Sequence, residues 1–306
     1  MESRWTWRTL AAPGVAWLTL FFLVAFYAVV CVAFGNTNTL NQPVPFWNPL
    51  DWNVGYVLQV LENIWNGEEY LTVFLRTFAF VLISIALCLL VGYPVAYYAA
   101  RHTGKWRGLI LLLLVLPFWI NYLMRMLAWI NLLSPDGWGT KVLHYTSIDQ
   151  LFIHLGLLST EGGWLEGQPM TVILALVYGY IPFLILPLYA ALDRIDQRHI
   201  EAARDLGGSP FSAFRRVTLP LSMPGILAGV VLISLPMFGD YYTNDLVSAS
   251  TSTSMTGNQI DLLTRQGAQK TEGAVLTLLL ALVLLVFMLY YLRQTRRAGD
   301  SASRDE

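Results

Sequence analysis

The chain has 306 residues, 56% of them hydrophobic and only 13% charged, a mixture too apolar for an ordinary soluble domain and suited to repeated crossing of a bilayer. A formal net charge of -1 excludes a generally basic nucleic-acid-binding surface, so the placement of the charges matters more than their sum. The two cysteines, Cys31 and Cys88, both lie in apolar runs and make neither a disulfide framework nor a metal set.

Six runs are long enough to cross a hydrocarbon layer of about 30 Å. The first, Pro13 to Phe34, follows Arg4 and Arg8 but is too long for the core of a secretory signal and has no small-residue cleavage site after it, which reads as an uncleaved helix. A loop around Asn36 to Tyr70 leads to the second run, Leu71 to Ala100, and the third is Leu109 to Leu133. The loop around Ser134 to Gln168 holds an apolar patch, Leu151 to Leu158, too short to span and suited to the interface. The fourth run is Pro169 to Leu192 and the fifth Met223 to Phe238. A loop around Gly239 to Gly273, with the tract SASTSTSMTGN, then precedes the sixth, Ala274 to Leu292.

Short loops rich in Lys and Arg stay in the cytoplasm. Placing both termini inside puts fourteen of the nineteen basic residues there, including Arg101, Lys105, Arg107, Arg194, Arg198, Arg215, Arg216, Arg293 and Arg304. Trp47, Trp52, Trp65, Trp106, Trp138 and Trp164 flank the spans, as interface anchors should.

Between the fourth and fifth spans lies the longest inner loop, EAARDLGGSPFSAFRRVTLPLSMPG. Residues Gln197 to Leu206 favour helix, and Gly207 with Gly208 ends it, since glycine accepts the left-handed conformation. Ser209 fits an N-cap with Pro210 at the first helical position, which predicts a second short helix, Pro210 to Val217, stopped by Leu219, Pro220 and Pro224.

The spans carry candidates for a solute path. Asp240 and Asp245 beside Tyr241 and Tyr242, with Trp119 and Tyr122 in the third span, offer carboxylates and aromatic faces to a cation, or are ordinary residues at a helix end. Arg125 lies well inside the third span, where an arginine costs about 2.5–3.5 kcal/mol to insert. It therefore needs a partner, expected to be Asp240 or the carbonyls of a broken helix. Gly92 with Pro94, Pro117, Gly179 with Pro182 and Pro187, and Pro236 with Gly239 either break helices around a cavity or kink them for packing. The four histidines are dispersed, and neither an HExxH pattern, a nucleophile elbow nor a P-loop occurs, so metal, catalytic and ATP-hydrolysing roles are not expected of this chain.

Glu201, Ala202 and Ala203, then Gly207, then Val217, Leu219 and Pro220 resemble the cytoplasmic loop E-A-A-x3-G-x9-I-x-L-P of ATP-binding-cassette importer permeases, with Val217 for the usual Ile. The segments GYPVAYYAAR, LPFWINYLMRMLAW, YIPFLILPLYAALDRID, LPMFGDYYTNDL and TGNQI are similar to the first permease subunit of spermidine/putrescine importers. This resemblance implies an all-α, six-helix type I importer permease in the bacterial cytoplasmic membrane. It implies one permease domain, 1–306: a first helix and outer loop (1–70), a five-helix core (71–292) with the coupling loop at 193–222, and a cytoplasmic tail (293–306).

It further implies that Glu201, Ala202, Ala203, Arg204, Gly207, Val217, Leu219 and Pro220 dock on a separate ATPase that binds ATP and magnesium. The expected partners are a second, homologous permease, two ATPase subunits and an extracytoplasmic binding protein. The cargo is a polyamine or another small solute such as iron, thiamine or sulfate. An ion-gradient-driven transporter is the main rival, but the halves show no inverted repeat and the loop would have no purpose without an ATPase. A structural adaptor is the remaining alternative.

Overall fold

The computed structural model describes residues 4–38, 43–154, 158, 163–266 and 269–302. Arg304 and residues 155–157 of the apolar patch lie outside the described residues. The helices in chain order are α1 (Arg4–Ala33), α2 (Val54–Asn66), α3 (Glu68–Arg101), α4 (Arg107–Val115), α5 (Tyr122–Leu133), α6 (Trp138–Tyr145), α7 (Ile148–His154), α8 (Pro169–Asp193), α9 (Gln197–Asp205), α10 (Pro210–Ala213), α11 (Leu219–Phe238), α12 (Tyr242–Val247), α13 (Thr256–Arg265) and α14 (Lys270–Ala302). Among the described residues five helical stretches are long and apolar enough to cross a membrane: Thr9–Ala33, Tyr70–Arg101, Pro169–Asp193, Pro210–Phe238 and Lys270–Arg293.

The third expected span differs. Gly104–Trp119 and Tyr122–Leu133 meet at 87°. Pro117 heads a short tight turn, Ile120 adopts an extended backbone, and Asn121 starts α5 afresh by accepting a hydrogen bond from the Leu123 N–H. Proline removes one helical donor and the Asn side chain supplies a cap, so the chain bends sharply here instead of continuing.

The fifth span also differs. Pro220 and Pro224 do not stop a helix at Val217. From Pro210 the backbone runs helically to Phe238, through one wide turn at Phe214–Thr218 in π geometry. A wide turn takes up the hydrogen bond that Pro220 cannot donate and leaves room for its ring, so the helix passes through the proline without ending.

The chain divides into two compact units, Met1–Leu71 with Gln259–Leu285, and Thr72–Asn258 with Val286–Glu306. The first unit is built around Ala33, Val60, Ile64, Leu263, Ala274, Val275 and Leu276. The Trp52 ring stacks on Phe34 at 4.9 Å and its N–H donates to the Phe46 carbonyl, while a two-residue antiparallel pair, β1 (Asn36–Thr37) with β2 (Pro43–Val44), closes the loop. Most of α1 is exposed, with Leu18, Phe22 and Leu23 among the outward side chains, as expected for a helix whose solvent is lipid.

In the second unit α8 and α11 pack most closely. A Cβ on Gly225 would lie 2.3 Å from the Ala191 Cβ, and one on Gly229 would lie 2.7 Å from Leu184 Cδ1. The helices approach to backbone distance because small residues recur four apart, which is how apolar helices gain contact when lipid gives no hydrophobic drive. A Cβ on Gly92 of α3 would lie 3.3 Å from the Leu184 and Ile185 side chains, so that glycine serves packing. Trp65, Trp106 and Trp138 are exposed, but Trp164 is buried against Leu133, Leu158 and Phe152, a core residue and not the interface anchor its sequence position suggests.

Candidate functional site

α11 ends at Phe238 and the chain restarts as α12 four residues later. Asp240 sits in the break and is 8% exposed. Its Oδ1 accepts from the Thr243 N–H at 2.9 Å, and its Oδ2 accepts from the Thr243 hydroxyl at 2.7 Å and from the Tyr180 hydroxyl at 2.9 Å. These donors, the Thr243 N–H and hydroxyl and one tyrosine, are all neutral. A cavity of about 240 Å³ opens beside the carboxylate, lined by Tyr122, Tyr180, Pro236, Gly239, Asp240, Tyr241 and Tyr242. A buried carboxylate ringed by tyrosines suits an ammonium group, which gains the opposite charge and the negative faces of the rings together.

The break is held by the TGN sequence at 256–258. The Asn258 side-chain amide donates to Asp245 Oδ1 and to the Tyr241 carbonyl, both at 2.7 Å, and its oxygen accepts from the Met255 N–H at 2.9 Å. The Thr256 N–H donates to the Thr77 hydroxyl at 2.8 Å, and Arg76 donates to the Thr251 carbonyl at 3.0 Å. Gly257 is required by proximity, because a Cβ there would lie 2.7 Å from the carbonyl oxygens of Gly239 and Asp240. Gly257→Ala is therefore expected to destabilise the chain by about 1–3 kcal/mol. The check is a lowered Tm of the purified protein in detergent. Gly108→Ala, where nothing lies within 4 Å of the new methyl, should leave it unchanged or slightly raise it.

Arg125 overturns one expectation. It is 8% exposed, yet it pairs neither with Asp240 nor with a carbonyl through Nε or Nη1, which have no hydrogen-bond partner among the described residues. Its guanidinium instead lies over the rings of Phe118, Tyr122 and Tyr178, at 4.3, 5.4 and 5.8 Å. The bend at Asn121 turns α5 so that Arg125 faces these rings.

Of the other path residues, Tyr122, Asp240 and Tyr241 share the cavity, and Tyr122 and Thr243 are hydrogen-bonded through their hydroxyls. Asp245 is set apart on Asn258, and Trp119, 80% exposed, is not in the lining. Tyr180, Thr243, Gly257 and Asn258 were not singled out from sequence. The Asp-x-x-Thr spacing after a proline-containing helix is the signal that would have found Thr243. Among the described residues no cluster of three or more His, Cys, Asp or Glu is placed to hold a metal.

The inner loop forms a second site. Asp196 caps α9, and Gly207 follows it at φ +84, the left-handed turn that glycine allows. The Gly208 N–H returns to the Ala203 carbonyl at 3.1 Å, and Ser209 caps α10 by accepting from the Ser212 N–H at 3.2 Å. Glu201, Ala202 and Arg204 are exposed, Ala203 and Val217 half-buried. Leu206 and Phe211, exposed by 90% and 71%, flank the turn as large apolar side chains on a charged loop, the mark of a surface that meets a partner. Beyond them Phe214 sets its edge against Tyr93 and Tyr97 of α3, and the Tyr93 hydroxyl bonds the Ser222 hydroxyl at 2.9 Å, so the loop is braced on two spans.

Residues 92–298 match the family described as binding-protein-dependent transport system inner membrane component. The chain is 34% identical over 281 residues to the spermidine/putrescine transport system permease protein PotB of Haemophilus influenzae, covering 89% of each chain. It is 34% identical over 227 residues to the protein of that name from Escherichia coli, covering 74% of this chain and 78% of that one. The crystal structure of a bacterial alginate ABC transporter, in complex with an alginate pentasaccharide-bound periplasmic protein, contains a chain of the same fold. Its TM-score is 0.66 at 18% identity, over 96% of this chain and 95% of that one.

Proposed function

The chain belongs to the binding-protein-dependent transport system inner membrane components, and on that footing we propose that it forms half of the translocation pathway of a polyamine importer. As a multi-pass permease of the inner membrane it has its spans, its broken third helix and its inner loop accounted for by this role. The observation that carries the cargo is Asp240, a buried carboxylate with neutral donors only, opening on a tyrosine-lined cavity. Polyamines are flexible polycations, and likeness to permeases named for spermidine and putrescine points the same way.

Six spans enclose no pathway alone, so a second, homologous permease completes it. Two ATPase subunits bind ATP and magnesium and dock at the exposed turn around Leu206, Gly207 and Phe211, and an extracytoplasmic binding protein delivers the solute to the outer side. Both termini face the cytoplasm by the distribution of basic residues. The chain itself carries out no catalysis.

The test is uptake of labelled spermidine by vesicles holding the complete transporter. Asp240→Asn removes the charge and keeps the size, and is expected to lower uptake at least 10-fold while the chain inserts normally. Unchanged uptake, or a loss equal for spermidine and for an unrelated solute, would count against a cation site at Asp240.

A further inference from the structure

Two opposite charges are buried on either side of Tyr122 and do not meet. The Tyr122 ring faces the Arg125 guanidinium, and its hydroxyl is bonded to that of Thr243, which in turn donates to Asp240. Rings satisfy the face of a guanidinium but not its edge, and among the described residues Nε and Nη1 find no acceptor while buried. An arginine that served only to fill space among Phe118, Tyr122 and Tyr178 would be replaced at lower cost by methionine or leucine. A guanidinium with donors to spare and a carboxylate that meets no basic side chain among the described residues are complementary halves of an ion pair.

The geometry points to Arg125 as the residue that releases the cargo: it rests among the rings while Asp240 holds an ammonium group, and moves onto Asp240 in another state of the transport cycle. The inference rests on reading Asp240 as a cation site. A path that binds its solute in one state must lose affinity in another, and a ligand shifts an equilibrium only through such a difference. A tethered guanidinium provides it, because it competes for the same carboxylate at high local concentration. The ring cage gives it a second resting place inside the protein, so it need not return to water between cycles. Arg125 is thus a positioning residue of the release step and touches the cargo only through competition for Asp240.

The experiment uses the complete transporter in nanodiscs and measures dissociation of radiolabelled spermidine, nucleotide-free and trapped with ATP and vanadate. In the wild type one of the two states should release label at least 10-fold faster than the other. Arg125→Gln is expected to erase that difference by slowing the fast state, with ATPase activity retained, and Arg125→Lys, which keeps the charge, to restore it within about threefold. A second arm places Arg125→Cys and Asp240→Cys together, with Cys31 and Cys88 changed to Ala, and treats the complex with a short thiol cross-linker. Cross-linking should occur in the fast-releasing state and be at least 10-fold weaker in the other.

Equal release by the Gln variant and wild type, where Asp240→Asn loses binding, overturns the inference and leaves the cation site standing. Binding by Asp240→Asn equal to wild type overturns the cation site itself. Cross-linking that is the same in both states overturns the movement of Arg125 even if the Gln variant does not assemble.

Discussion

Gly225→Leu is expected to leave almost no correctly assembled protein in the membrane. A Cβ at position 225 would lie 2.3 Å from the Ala191 Cβ and 3.0 Å from the Pro187 carbonyl oxygen, so a side chain of any size must drive α8 and α11 apart. That separation would also strip contacts at Gly229, whose Cβ position meets Leu184 Cδ1 at 2.7 Å and the Leu184 carbonyl at 3.2 Å. Overpacking by one or two methylenes costs about 1–3 kcal/mol. Here backbone meets backbone and no side chain can rotate away, so roughly 4 kcal/mol or more is expected, the range reserved for a breached core. α8 carries Tyr180, Leu184 and Leu188, so its displacement would reach the Asp240 cavity as well. The measurement is the amount of monodisperse transporter recovered in detergent. Gly225→Ala should be intermediate, and Gly14→Leu, on the exposed face of α1 with nothing within 4 Å, should match the wild type. Full recovery of Gly225→Leu would mean that α8 and α11 do not pack through this stripe.

The parts of this architecture that sequence made legible are those set by composition and local chemistry. Long apolar runs mark the spans because a helix satisfies all of its backbone groups within one segment when its surroundings are lipid. The turn at Gly207 and the cap at Ser209 were readable for the same reason, each depending on two or three adjacent residues. What was not legible depends on how the backbone turns and on which side chains the fold brings together. Pro220 looked like a stop, but a wide π turn just before it lets the helix continue. Arg125 looked in need of an acid or of the carbonyls of a broken helix, but three rings, from α5, α8 and the turn before α5, take its charged face. The candidacy of Asp240 is legible in its neighbours Tyr241 and Tyr242, whereas its anchoring by Tyr180 links residues 60 apart, and the closeness of Gly257 follows only from the fold, where a Cβ on that glycine would lie 2.7 Å from the Asp240 carbonyl oxygen.

Gly208→Val should separate ATP hydrolysis from transport more completely than any change at Gly207. The two glycines are constrained differently. Gly207 needs the left-handed backbone, at φ +84, but a Cβ there has nothing within 4 Å, so Gly207→Ala carries only the conformational cost of about 1–2 kcal/mol and a solvent-exposed turn can absorb part of it. At Gly208 a Cβ would stand 2.5 Å from the Ala203 carbonyl oxygen, the same atom that accepts the Gly208 N–H, so the closing hydrogen bond and the side chain exclude each other. Opening that contact unpins α9 from α10 and spreads Leu206 and Phe211, the two exposed apolar side chains that flank the turn. If the loop is the handle of an ATPase, as proposed above, uptake is expected to fall at least 100-fold for Gly208→Val and about 10-fold for Gly207→Ala, with insertion unchanged because neither residue lies in a span. The ATPase rate of the complete transporter, with and without the binding protein, distinguishes the two ways of failing. A rate that no longer responds to the binding protein fits a broken handle, while a normal response with lost uptake would move the defect from the loop to the path. Wild-type uptake in Gly208→Val would remove the turn from the coupling route altogether.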